Sequence, residues 1–173
     1  MNSLEFTDAL DDGWLDPGKN APLRSVEESR QPAAREVILI DRNADAALAA
    51  LIDGPIAAIR TVRDPRARTV LLALLVCRAL PSAHGATLQH ALDEAREKSG
   101  CNVIPIMTLS AGTCRHRCPL FKYLADRVSI QCRLVNGISA CSVDDSDAGS
   151  HCCCIVRVNQ KTFYMVFTLL CQI

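Results

Sequence analysis

The chain has 173 residues, enough for one domain with a sizeable core, and 49% of them are hydrophobic, which excludes a disordered chain. Lys+Arg and Asp+Glu are equal at 19 each, so charge gives no reason to expect nucleic acid or an anionic membrane as partner. The acidic opening MNSLEFTDALDDGWLDPGKN lacks the basic start of a secretory signal. Residues 1–35, with Pro17, Pro22, Pro32, Gly13 and Gly18 among polar residues, read as a flexible or loosely packed tail. Trp14 and Leu15 are its bulky apolar pair and are candidates to dock elsewhere on the protein.

EVILID (Glu36–Asp41) is short, apolar and β-branched, and predicts a strand. Asp41–Ile52 predicts a helix capped by Asp41 or Asn43 and ended by Gly54-Pro55, and Ile56–Val62 a second. A third helix starts at Asp64-Pro65, because proline suits the first helical position, and runs to Leu80 before Pro81. It contains the most apolar run, Thr69–Cys77, which is far short of the roughly 18 residues that span a bilayer. Thr87–Lys98 is a fourth helix, with Thr87 as cap and Gly100 after its end.

The pattern then changes. NVIPIMTLSAG is extended or loop, RCPLFKYLADRVS is helical, and Ile130–Gly137 alternates toward an Asn-Gly turn signal. After a polar loop, HCCCIVRVNQKTFYMVFTLLCQI reads as two strands joined at Asn159-Gln160. A helical N-terminal half packed with a small antiparallel sheet is the α+β pattern. These features describe a soluble, cytoplasmic protein. Its ten cysteines then serve metal binding, catalysis or packing rather than disulfides.

Cys114 is the chemical focus. On a helix it shares an apolar stripe with Cys118, Phe121, Ala125 and Val128, while Arg115, Lys122 and Asp126 lie elsewhere. With Thr113 or Gly112 as cap, Cys114 feels the positive end of the helix dipole and the charges of Arg115 and Arg117, which favour the thiolate. Pro119 leaves a second option, a helix starting at Pro119 with Cys114 in the preceding loop. Plain packing is the alternative, since free cysteine is among the most buried residues. A base must come from elsewhere, because His116 lies two residues along the same helix. His151, opening an apolar strand, is the candidate. The last strand holds no acid to orient it. It offers only Thr162, Thr168 and Gln172, and Asp144, Asp145 and Asp147 lie upstream. Zinc is a third reading, from Cys114-x-His116-x-Cys118 and His151-Cys152-Cys153-Cys154, without the paired knuckle spacing of structural zinc. Cys152 and Cys154 would share a strand face with Val156 and Val158.

Residues 102–137, with Ile104-Pro105, then Gly112-x-Cys114-Arg115-His116-Arg117, then Leu120-Phe121-Lys122-x-Leu124-Ala125-Asp126 and Cys132-Arg133-Leu134-Val135-x-Gly137, resemble a known domain. It is the peptidase-like domain, with a transglutaminase-like fold, of plant enhanced-disease-resistance and constitutive-triple-response Raf-like kinases and of an armadillo-repeat protein. The resemblance implies a transglutaminase/papain-like α+β domain over 36–173, ending short of its C-terminus, with a Cys–His–Asp arrangement. Cys114 and His151 fit the first two positions, and Phe167 stands where the aspartate is expected. Cys152–Cys154, Cys118 and Pro119 also depart from the pattern. The expectation is a regulatory or protein-interaction module with impaired catalysis, a protein partner and no cofactor. The alternatives are an active cysteine hydrolase or acyl-transferase using Cys114 and His151, and a zinc-binding module.

Overall fold

The computed structural model describes residues 36–136, 152–165 and 167. Strand β1 (Val37–Leu39) pairs in parallel with β2 (Val103–Pro105), Val37 opposite Val103. Between them lie α1 (Ala46–Leu51), a π-helical turn (Ile52–Ile56), α2 (Ala57–Arg60), α3 (Pro65–Ala79) and α4 (Gly85–Ser99). A 3-10 turn (Ile106–Thr108) follows β2 and leads to α5 (Cys114–Arg127). Strands β3 (Gln131–Asn136), β4 (Cys152–Val158) and β5 (Lys161–Met165) form an antiparallel sheet in the order β3-β4-β5. The architecture is α+β. Helix α5 packs against α3 on one side and against β3 and β4 on the other, so it runs through the core.

Several boundaries differ from the expectations for physical reasons. The first helix is capped by Asp45 and not by Asp41 or Asn43; Asp41 instead accepts from the Asn43 N–H (2.9 Å) in a turn. Gly54-Pro55 does not end it. The Ala57 N–H reaches back to the Ile52 carbonyl, an i→i−5 bond, and this wider turn carries the chain past Pro55 into α2. Helix α4 begins two residues before Thr87, and Gly100 takes the left-handed conformation after it (φ +65°). The expected start at Asp64-Pro65 holds, and Asp64 caps it, its carboxylate accepting from the Arg66 and Ala67 N–H groups. Asn159 and Gln160 join β4 to β5 with φ values of 49° and 63°, the conformation of a two-residue type I′ hairpin.

Two polar side chains pin the helical layer. Arg68 donates to the Val62 carbonyl and to the Val128 carbonyl (2.7 Å), tying the turn before α3 to the end of α5. Asp45 is buried and accepts from the Leu48 N–H (3.0 Å) and the Met107 N–H (2.9 Å), so one carboxylate caps α1 and clasps the 3-10 turn. Asp45→Ala leaves the Leu48 and Met107 N–H groups without their acceptor. It is expected to cost about 2–3 kcal/mol in urea denaturation, more than an ordinary exposed cap of about 1 kcal/mol. Asp45→Asn should cost less, since the amide oxygen still accepts one bond.

Candidate functional site

The site expected from sequence lies where α5 begins against the start of β4. Helix α5 starts at Cys114 with Thr113 as cap, and it continues through Pro119. The carbonyl that loses its donor to Pro119 is that of Arg115, an exposed residue, so water can take the place of the missing N–H. The predicted stripe of Cys114, Cys118, Phe121, Ala125 and Val128 is buried throughout. The buried surface is wider than that stripe, because His116, Arg117, Leu120 and Leu124 are buried as well.

The last two residues of the Arg-His-Arg run, His116 and Arg117, have structural roles that sequence spacing did not reveal. The Thr113 N–H donates to Nδ1 of His116 (3.0 Å), closing a capping box at the start of α5. With Nδ1 as acceptor, the ring is neutral and carries its proton on Nε2. Burial, and secondarily the Arg115 charge, hold the His116 pKa below its ordinary value of 6.5, against an opposing pull from Glu36. A histidine depressed in the fold contributes stability above the unfolded pKa near 6.5 that is lost as pH falls through its folded value. The melting temperature should therefore drop from pH 7 to pH 5, and drop less in His116→Asn, which keeps an acceptor but cannot titrate.

Arg117 engages backbone carbonyls. Its side chain is fully buried, and its Nε–H and Nη1–H donate to the carbonyls of Leu80 (2.7 Å) and Phe167 (2.9 Å). It joins the end of α3 to the chain beyond β5. Gly112 has a steric reason: a Cβ there would lie 2.9 Å from Cβ of His116 and 3.0 Å from Cδ2 of Leu80. The Gly112 backbone also bonds to both sides of Ser82, accepting from the Ala83 N–H and donating to the Pro81 carbonyl. These contacts fix the loop that delivers Thr113 and Cys114.

The Cys114 sulfur belongs to a residue only 7% exposed. Burial pushes its pKa above the ordinary 9.0, and this outweighs the help of the Cys152 and Arg115 backbone N–H groups and of the Arg115 charge. The expectation of a dipole-activated thiolate is thus corrected: desolvation wins. Cys118, Cys132, Cys152 and Cys154 line the same helix–sheet seam and are all buried. The Cys118 S–H donates to the Cys152 carbonyl (3.2 Å), and the Cys154 S–H to the Cys118 carbonyl (3.4 Å). The Cys152 thiol is pushed up by its contact with Cys118 and by burial, and the Cys154 thiol by burial and by that same contact. Cys152 and Cys154 do share a buried face of β4 with Val156 and Val158. Among the described residues, no group of three or more His, Cys, Asp or Glu side chains is arranged to hold a metal ion. The Nδ1 of His116, the middle residue of Cys-x-His-x-Cys, is already committed to Thr113.

Phe167 is fully buried, with its ring 5.3 Å from that of Phe121 and tilted by 55°. His151, the upstream aspartates, Thr168 and Gln172 lie outside the described residues, as does the tail of residues 1–35. Among the described residues no helix is long and apolar enough to cross a membrane.

Residues 18–170 match the EDR1/CTR1/ARMC3 peptidase-like family, and the chain belongs to it. Over 64 residues, 37% of this chain, it is 42% identical to the serine/threonine-protein kinase CTR1 of Arabidopsis thaliana. That stretch is 7% of the kinase's length. No solved structure matches the chain.

Proposed function

We propose that this domain is a regulatory, protein-interaction module on a cysteine-peptidase scaffold of transglutaminase-like type, with little or no catalysis of its own. The observation that carries this reading is Phe167. The resemblance sets Phe167 at the family's aspartate position, and its buried aromatic ring, packed on Phe121, supports the reading that no acid stands there. Without a group to orient the histidine, a cysteine–histidine pair loses several orders of magnitude in rate. The Cys114 thiol, buried and pushed up, adds to this. Membership of a family that includes a signalling kinase supports a regulatory role beside other modules in the cytoplasm, with a protein as partner.

A second reading rests on the position of Cys114 at the first turn of α5, beside the backbone of Cys152, the residue after His151. In it Cys114 attacks an acyl carbon, His151 takes the thiol proton and returns it to the leaving group, and N–H groups of the first turn hold the oxyanion. Pre-steady-state hydrolysis of an activated aryl ester separates the two. The proposal expects release no faster than in Cys114→Ala. A stoichiometric burst of leaving group, lost in both Cys114→Ala and His151→Ala, would establish the second reading instead.

A further inference from the structure

Helix α3 presents an apolar face to solvent. Val70, Leu71 and Leu74 are 52%, 42% and 56% exposed, while Leu72, Ala73 and Val76 of the same helix are buried in the core. Val70 and Leu74 stand one turn apart, so they form a stripe with Leu71 beside it. The stripe is bounded by exposed arginines: Arg63 and Arg66 at its N-terminal end, Arg78 one turn beyond Leu74. The exposed acid nearby, Asp64, is engaged in capping the helix. A contiguous apolar patch rimmed by one sign of charge is the signature of a docking site.

The chain carries a segment of complementary character. Residues 4–16 contain Phe6, Leu10 and Trp14 at intervals of four, the spacing of one helical stripe, with Leu4 and Leu15 beside them. They also contain Glu5, Asp8, Asp11, Asp12 and Asp16 and no Lys or Arg. The matched family domain begins only at residue 18, after this segment. Residues 17–35 connect it to β1 and reach about 60 Å when extended, against a radius of gyration of about 14 Å for a domain of this size. We infer that the acidic, apolar segment of residues 4–16 docks on the arginine-rimmed face of α3, with Trp14 as its anchor. The contact is intramolecular and electrostatically steered.

Trp14 is the only tryptophan, so its fluorescence reports the contact directly. In the full chain its emission should be blue-shifted and shielded from acrylamide relative to the urea-unfolded chain. Val70→Asp/Leu74→Asp should raise its quenching roughly threefold, and Arg66→Glu/Arg78→Glu should do the same while leaving the apolar face intact. All four positions are exposed, so the melting transition should stay within a few degrees of wild type and show that the fold is kept. Quenching as fast in the wild type as in urea would overturn the inference, as would shielding that survives both double variants. Shielding that appears only as protein concentration rises would overturn it in favour of a second copy on the patch.

Discussion

Arg117→Met is expected to destabilise the protein by about 3 kcal/mol, and Arg117→Ala by more. The guanidinium donates to the carbonyls of Leu80 and Phe167 inside the core, and neither carbonyl can turn to water when it is gone. Each orphaned acceptor costs about 1–3 kcal/mol, and methionine returns only the packing of the alkyl stem. Alanine adds a cavity, with its own cost of about 24 cal/mol per Å³. Urea denaturation read by far-ultraviolet circular dichroism gives both values. Stabilities within about 0.5 kcal/mol of wild type would mean that Arg117 does not clasp α3 to the end of the sheet.

The second large effect belongs to Phe167→Asp. On the proposed reading it puts a carboxylate at the position the resemblance assigns to the acid, yet it should impair the protein rather than repair it. The substitution removes a fully buried ring from its contact with Phe121, and truncations of this kind cost about 3–5 kcal/mol. It also buries a charge, which the nearby Arg117 guanidinium offsets only in part. The expected outcome is a less stable protein with no gain in ester hydrolysis. Phe167→Leu, which keeps an apolar filler, should cost clearly less. If Phe167→Asp were as stable as wild type and faster with an aryl ester, the acid position would be open for catalysis and the packing account would fail.

The readable part of this fold was its periodicity. The stripe from Cys114 to Val128, the proline start of α3 and the face shared by Cys152, Cys154, Val156 and Val158 follow from spacing that only one element can satisfy. The Asp45 cap was not readable, because three candidate caps fall within five residues and a distant backbone N–H, that of Met107, decides among them. Gly54-Pro55 looked like a stop because proline clashes in an α-helix, whereas a π-helical turn accommodates it. The roles of His116 and Arg117 were hidden for a similar reason. Charge suggested electrostatic help for Cys114 from Arg117, and spacing gave His116 no part, but burial draws both side chains into hydrogen bonds with the backbone. A fully buried arginine with carbonyl partners has no signature in a single sequence. Its only trace is its place in the matched Arg-His-Arg run.

The dominance of desolvation at Cys114 follows from the same packing. A helix N-terminus contributes about half a unit of charge at the surface, an effect worth roughly 0.3–1 kcal/mol. Enclosing the sulfur between α5 and the start of β4 works against the thiolate more strongly. Cys114 thus stands at the first turn of α5 with its thiol held above the usual range.

The alkylation rate of Cys114, followed by peptide mass spectrometry from pH 6 to pH 10, tests the scaffold reading most directly. Because burial raises this pKa, the native rate should stay far below that of the same cysteine in urea at pH 7 and should climb only above pH 9. The profile should be the same in His151→Ala. A rate at pH 6 exceeding that of the unfolded chain, and abolished in His151→Ala, would contradict this account and make Cys114 the thiolate of a working pair.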